Sequence, residues 1–445
     1  MPTHTTRPKW LFCALISLFF ACWSGLAVTP AVIITNLPAY GTTDTLKGYV
    51  IGANPATQAM AVFIYIPGAG WWSKPFCTPL LVPIQADGSW SANITTGGVN
   101  DTHATRIAAM LVSTNYNLGC ISGPSTLPTN VYVQAIAKMI VTRPSPGVRF
   151  INFAGYDWWV KAPTGLAGPG PNYFSDSTTN VFTDTNGWLH LRITNRTNAW
   201  QCAEIVSART FGFGSYRFEV GSAVDSLNQN VTLGLFTWSD DPAFTDREID
   251  VEGGRWSNPG DANNAQFVVQ PFDGANHLLR YRVAPGLADT THLFIWETNQ
   301  IRWQAQTNAY SAAGTNVFSA YTFNNVADIP VSGDENVRLN LWLVNGIPPS
   351  DNNEVEVVIK SFNFVPLGAP PPAVLNHAKT VSGAQLVFQA DLTVQPDFRY
   401  DIQTSSNLMG WADLQSLLAT SDKFTFTATN SFFGGGLFYR AVTLP

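Results

Sequence analysis

Glu248, Asp250 and Glu252 are the residues of this chain whose types and spacing are best suited to chemistry. They occupy every second position of Arg247-Glu248-Ile249-Asp250-Val251-Glu252-Gly253-Gly254-Arg255-Trp256. Extended as a β-strand, the stretch sends the three carboxylates to one face and Ile249 and Val251 to the other. Like charges side by side cost stability unless something neutralises or uses them. One reading is a solvated face over a core of Ile249 and Val251. The other is a working site. Cleavage of a glycosidic bond with retention needs two carboxyls about 5–5.5 Å apart, one to attack the anomeric carbon and one to protonate the leaving oxygen and then activate water. The Cα atoms of Glu248 and Glu252 lie ~13 Å apart at ~3.3 Å per residue, a gap two long side chains can close by leaning inward on a concave sheet. Asp250 between them would hold the attacking carboxylate by a shared hydrogen bond. Crowding then raises at least one pKa, as an acid catalyst at neutral pH requires.

Such a strand must be held by a sheet, and the composition predicts an all-β chain. Charged residues make up 12% of the 445, about half the usual ~25%, against 13% aromatics, with 35 Gly and 29 Pro punctuating short apolar runs. Strands are expected at Phe150-Ile-Asn-Phe153, Asp157-Trp-Trp-Val-Lys161, Trp188-Leu-His-Leu-Arg-Ile193, Phe211 to Val220 and Val231 to Trp238 ahead of the acidic one. Ala265 to Gln270, Leu278 to Arg282, Thr291 to Trp296, Ile301 to Gln304, Val337 to Leu343 and Val355 to Val365 follow it. Short strands at this spacing, joined by turns and without a convincing amphipathic helix, predict a central two-sheet jelly-roll sandwich over 145–367.

Two smaller β-sandwich modules flank it. The first spans 28–144, with a hairpin signal at Asp87-Gly88 and a linker at Arg143-Pro-Ser-Pro-Gly147. Val131 to Met139 could be helix or strand, and its β-branched residues favour strand. Trp71-Trp72 follows the loop Pro67-Gly-Ala-Gly70; buried under that loop is the simpler fate, exposed and stacking on sugar the other. A proline-rich linker at 368–373 leads to an accessory module at 374–445.

Residues 1–27 have the layout of a secretory signal peptide, with Arg7 and Lys9 before a short apolar run and small residues through Ala27. The expectation is a secreted protein, extracellular or periplasmic, without a lipid anchor and away from the membrane after signal removal. A net charge of −6 with no basic cluster argues against a nucleic-acid partner. Cys77 and Cys120 fall in one module and could pair, while Cys202 has no local partner. Of five cysteines, Cys13 and Cys22 fall within the expected signal peptide, and the remaining three, without a CxxC, and six scattered histidines give no metal site. No cofactor is called for, and structural calcium is not readable from the residues.

Glu248-Ile-Asp-Val-Glu252 resembles the active-site signature of glycoside hydrolase family 16, the β-jelly-roll enzymes that include lichenases, laminarinases, agarases, carrageenases and xyloglucan transglycosylases. The similarity extends over about Phe150 to Val365, including Phe213-Gly-Ser-Tyr-Arg-Phe-Glu-Val220, the Gly-rich loop from Gly168 to Asn172, and Asn340-Leu-Trp342. It implies Glu248 as nucleophile, Asp250 as assisting carboxylate and Glu252 as acid/base, acting on a polysaccharide. It also implies Asn172, Gln266 and Gln270 as cleft residues. Trp238, Trp256 and Trp296 are candidate sugar platforms, each of which could equally be core, whereas Trp303 and Trp342 are expected in the core. The sequence departs from the family pattern at Asp246, where a Trp is usual, at Val268, and at Arg247, whose opposite parity sends it toward the core in need of a partner. A transglycosylase would share all these residues. A non-catalytic carbohydrate-binding or structural surface protein would share the fold but has no need of the intact acidic trio.

Overall fold

The computed structural model describes residues 30–117, 119–244, 246–311, 313–368, 374–382, 386–394, 399–406, 411–418, 423–430 and 438–443. The expected signal peptide, most of the proline-rich linker and parts of the accessory module lie outside the described residues.

The acidic strand, Ile249–Gly254, is an inner strand of an eight-stranded antiparallel sheet. On one side of it lie, in order, Val231–Trp238, Asn336–Leu343, Ala199–Thr210, Tyr156–Val160 and Phe150–Phe153. On the other lie Ala265–Val269 and Leu278–Tyr281. A second sheet runs Val181–Thr183, Leu189–Arg196, Val355–Pro366, Gly214–Val220, Thr290–Trp296, Ile301–Thr307 and Val317–Phe323. The two join through the hairpin in which Leu189–Arg196 also pairs with Ala199–Thr210. Between them lies one apolar core, to which Ile249, Val251, Leu233, Leu235, Leu339 and Leu341 contribute from the first sheet and Phe218, Phe294 and Trp303 from the second. Period-2 alternation therefore commits the other parity of the first sheet, carboxylates included, to the face away from the core.

In residues 30–142 a three-stranded sheet, Ala31–Asn36, Leu46–Ile51 and Ser89–Ala92, packs against one built from Gly70–Lys74, Gln58–Ile66, Arg106–Ser113 and Ala137–Thr142. Cys77 and Cys120 are paired there, whereas Cys202 is free and buried in the central core. The expected strand from Val131 is corrected: Thr129–Gln134 is a helix, and the strand begins only at Ala137. Val131 and Tyr132 are consecutive and both buried, with Val133 exposed, which a helical turn permits and an alternating strand does not. Trp71 and Trp72 lie within the strand Gly70–Lys74, with Trp71 buried and Trp72 half-buried. Arg143 is no linker residue, since its buried guanidinium donates to the carbonyls of Ala104 and Thr102.

Beyond residue 373 two three-stranded sheets, Val374–Ser382 with Leu386–Thr393 and Lys423–Asn430, and Ala412–Leu418 with Arg399–Ser405 and Phe438–Thr443, enclose their own core of Leu392, Tyr400, Ile402 and Phe426.

Candidate active site

Strand register aligns the polar residues of the open face in rows. One row runs Glu204, Asn340, Gly234, Glu252, Gln266 and Arg280, each opposite the next on the neighbouring strand. The adjacent row runs Arg338, Phe236, Asp250 and Val268. Glu248 extends the ladder by one residue, its carbonyl accepting from the Gln270 N–H at 3.1 Å. The three carboxylates thus stand together on the floor of a cleft of about 720 Å³, with Trp159, Trp238 and Trp342 among its walls.

Burial is the largest cause of the pKa shift at each carboxyl. It pushes Glu248 up to about 8, with the charge of Glu252 adding to the rise and a hydrogen bond from Asp250 opposing it. Glu252 is pushed up to about 7, held down in part by its bond from Gln266 and by the charge of Arg280. Asp250 rises well above the ordinary carboxylate range through burial and the charges of Glu248 and Glu252. The three titrate as a unit. Asp250 is the most buried of the three, and its interaction with Glu248 lowers the pKa of the glutamate while raising its own. Protonation of Glu252 removes the smaller, electrostatic part of the rise at Glu248, while burial still holds it up.

Two of the three carboxylates have a neighbouring amide that orients them. Gln266 Nε2 donates to Glu252 Oε2 at 2.5 Å, and Arg280 Nη1 donates to Gln266 Oε1 at 3.2 Å, so the arginine fixes which end of the amide faces the glutamate. Gln270 Nε2 donates to Asp250 Oδ2 at 3.3 Å, and the Trp303 indole N–H donates to the Asp250 backbone carbonyl at 3.1 Å. Across the floor, wholly buried Glu204 accepts from Lys161 at 2.9 Å, Arg338 at 3.1 Å and Asn340 at 3.3 Å, while Arg338 also reaches Asp240 at 2.6 Å. Gly234 is the bare spot between Asn340 and Glu252, where a Cβ would stand 2.4 Å from Asn340 Oδ1.

Of the residues expected at the site, Glu248, Asp250, Glu252 and Trp238 line the cleft, and Gln266 and Gln270 hold two of the carboxylates. Trp256 lies outside the enclosed part, its ring 4.2 Å from the Arg280 guanidinium. Three expectations are corrected. Trp296 is wholly buried between the sheets, its indole N–H on the Pro330 carbonyl, because its strand belongs to the second sheet. Asn172 is buried with its amide on the carbonyls of Pro169 and Leu343, where it shapes the loop and does not reach the cleft. Trp342 moves the other way, from expected core to cleft wall, while Trp303 is core. Arg247 finds its partner in Asp334, at 3.1 Å.

Sequence reasoning passed over Glu204, Arg338, Asp240, Lys161 and Trp159. A signal was present in Val337-Arg-Leu-Asn-Leu-Trp-Leu343, where Arg338, Asn340 and Trp342 alternate with aliphatics, and in Glu204, a lone carboxylate inside an apolar run. Among the described residues no group of His, Cys, Asp and Glu is placed to hold a metal ion.

Fold and site together define a two-sheet β-sandwich with a carboxylate-floored cleft on its open face. No family model and no curated protein matches the chain. Among solved structures, it is similar to the β-glucanase of Bacillus licheniformis, at 20% identity over 50% of this chain and 99% of that one, with a TM-score of 0.37. A prokaryotic β-1,3-1,4-glucanase (lichenase) from a mouse hindgut metagenome gives 20% identity over 49% and 99%, with a TM-score of 0.37. A protein of Mycobacterium tuberculosis described as an immunostimulatory antigen and pseudo β-1,3-glucanase gives 18% identity over 49% and 90%, with a TM-score of 0.36.

Proposed function

We propose that the chain is a secreted, retaining endo-glycosidase of the family 16 type that cleaves an uncharged β-linked polysaccharide. The observation that carries this is the clustering of Glu248, Asp250 and Glu252 on the cleft floor with all three pKa values raised, Asp250 and Glu252 each held by a glutamine amide. Glu248, ionised and bonded by protonated Asp250, attacks the anomeric carbon. As the glycosidic C–O bond breaks, Glu252 gives its proton to the departing oxygen, leaving a glycosyl ester on Glu248. Glu252, now a carboxylate held by Gln266, takes a proton from water, whose oxygen displaces Glu248 and restores the β-configuration. A group that must both give and take a proton works best near neutrality, where Glu252 lies.

The enclosed cleft runs from the acidic strand across four inter-strand steps to Tyr156–Val160, about 19 Å at ~4.8 Å per strand. That length suits several consecutive sugars and hence internal cleavage. Lys161 and Arg338 in its lining are ion-paired, and Arg149 donates to two backbone carbonyls, so the cations are already engaged. This supports a neutral glycan over a sulfated or uronate one. The expected layout of a signal peptide in 1–27 supports export.

The test is hydrolysis of neutral and sulfated β-linked polysaccharides followed by NMR. A β-product should appear first on a neutral substrate, and Glu248→Gln should remove turnover while leaving the protein folded. An initial α-product, or an active Glu248→Gln protein, would overturn the assignment.

A further inference from the structure

The stretches that lead to Glu248, residues 239–244 and 246–248, are held from both sides of a domain boundary. Within the central sandwich, Ser239 Oγ donates to Asp334 Oδ1 at 2.6 Å and Arg247 Nη1 donates to the same oxygen at 3.1 Å. Arg247 Nε also donates to the Val331 carbonyl at 2.7 Å. Thr237 Oγ1 closes the end of the loop, donating to the Arg247 carbonyl at 3.2 Å and accepting from the Ile249 N–H at 3.1 Å. The other oxygen of Asp334 accepts from Arg106 of the N-terminal module at 3.3 Å. That module also supplies Tyr132, whose ring meets Phe244 edge-on at 5.7 Å and lies 5.1 Å from the Arg247 guanidinium, which sits 3.5 Å from the Phe244 ring. Phe244 in fact packs into an apolar cluster otherwise made by the N-terminal module. Arg247 is only 4% exposed, and it is the residue immediately before the proposed nucleophile.

We propose that the N-terminal module is part of the catalytic unit, and that Tyr132 and Arg106 are positioning residues that fix Glu248 through Phe244, Arg247 and Asp334. The inference rests on the glycosidase reading above. A buried guanidinium packed against two aromatic rings that stand edge-on to each other, and bonded to a carboxylate, has one low-energy placement, and the peptide bond carries that placement to Glu248. Without Tyr132, Arg247 and Phe244 lose one wall of their pocket, and the loop gains room to shift. A displacement of about 1 Å at a reacting atom costs on the order of 100-fold in rate.

The test uses the full chain with a soluble oligosaccharide substrate. Tyr132→Ala should lower kcat by about 10- to 100-fold and leave KM little changed, because the sugar-binding floor is untouched. Covalent labelling of Glu248 by a mechanism-based fluoroglycoside should slow in parallel. Tyr132→Phe, which keeps the ring, should restore both rates. Arg106→Gln, a milder change, should lower kcat in the same sense and serves if Tyr132→Ala does not fold. A wild-type protein that turns over normally, beside Tyr132→Ala or Arg106→Gln variants with lowered Tm but unchanged kcat and labelling, would overturn the inference alone. A wild-type protein that neither turns over nor labels on Glu248 would overturn the glycosidase reading and this inference with it.

Discussion

Among single residues, the proton on Glu252 decides the alkaline side of the pH profile under the proposed mechanism. The acid must be protonated for the first step, so activity falls as pH rises through its pKa, pushed up to about 7 by burial. Arg280 opposes that rise in two ways: its charge favours the ionised glutamate, and its bond to Gln266 Oε1 keeps the amide N–H on Glu252. Removing it lets the pKa climb. Arg280→Met should therefore move the alkaline limb of kcat/KM to higher pH, by on the order of one unit if about 1.4 kcal/mol of differential interaction is lost. A limb that stays put or moves down would show that Arg280 does not act through Glu252. The acidic trio was legible in the chain because three like charges at period 2 demand an explanation from local sequence alone. Arg280 was not, because its meaning depends on standing opposite Gln266 across two strands.

At the scale of elements, each expected strand of the central sandwich has a counterpart in the structure, since alternation and turns are written locally. What local pattern leaves open is which sheet a strand joins. Trp296 shows the consequence: its strand alternates as cleanly as the acidic one, yet it pairs into the second sheet with Trp296 facing the core. The site floor needs register across long separations, such as Glu204 opposite Asn340, which no short motif encodes. Gly234 is where that register is most tightly built. Gly234→Ala would place a Cβ against Asn340 Oδ1 and disturb the Asn340 bond to Glu204. Overpacking of this kind costs about 1–3 kcal/mol, so a lower Tm and a kcat/KM reduced by about tenfold are expected if some 1.4 kcal/mol of it is felt in the transition state. Full activity at unchanged Tm would mean that the Gly234 gap is not part of the working floor.

At the scale of the whole molecule, the two flanking modules differ in how they are tied to the chemistry. The N-terminal one shares Asp334 and the Phe244 cluster with the loop entering the acidic strand, through contacts up to 228 residues apart in sequence that composition and spacing could not reveal. The C-terminal one encloses its own core of Leu392, Tyr400, Ile402 and Phe426. The chain leaves the central sandwich after Val355–Pro366, whose strand pairs on both sides, and after the Leu367 N–H donates to the Phe213 carbonyl at 3.0 Å. A protein ending at residue 367 therefore keeps every strand of the two central sheets and the residues that hold Asp250 and Glu252 and lead to Glu248. Its kcat on a soluble substrate should stay within about twofold of the full chain, a change worth less than about 0.5 kcal/mol in the barrier. If the C-terminal module serves to hold polymer, the truncated protein should fall behind only on insoluble substrate at low loading. A large loss of kcat on the soluble substrate would instead place residues 374–445 within the catalytic unit, alongside the N-terminal module.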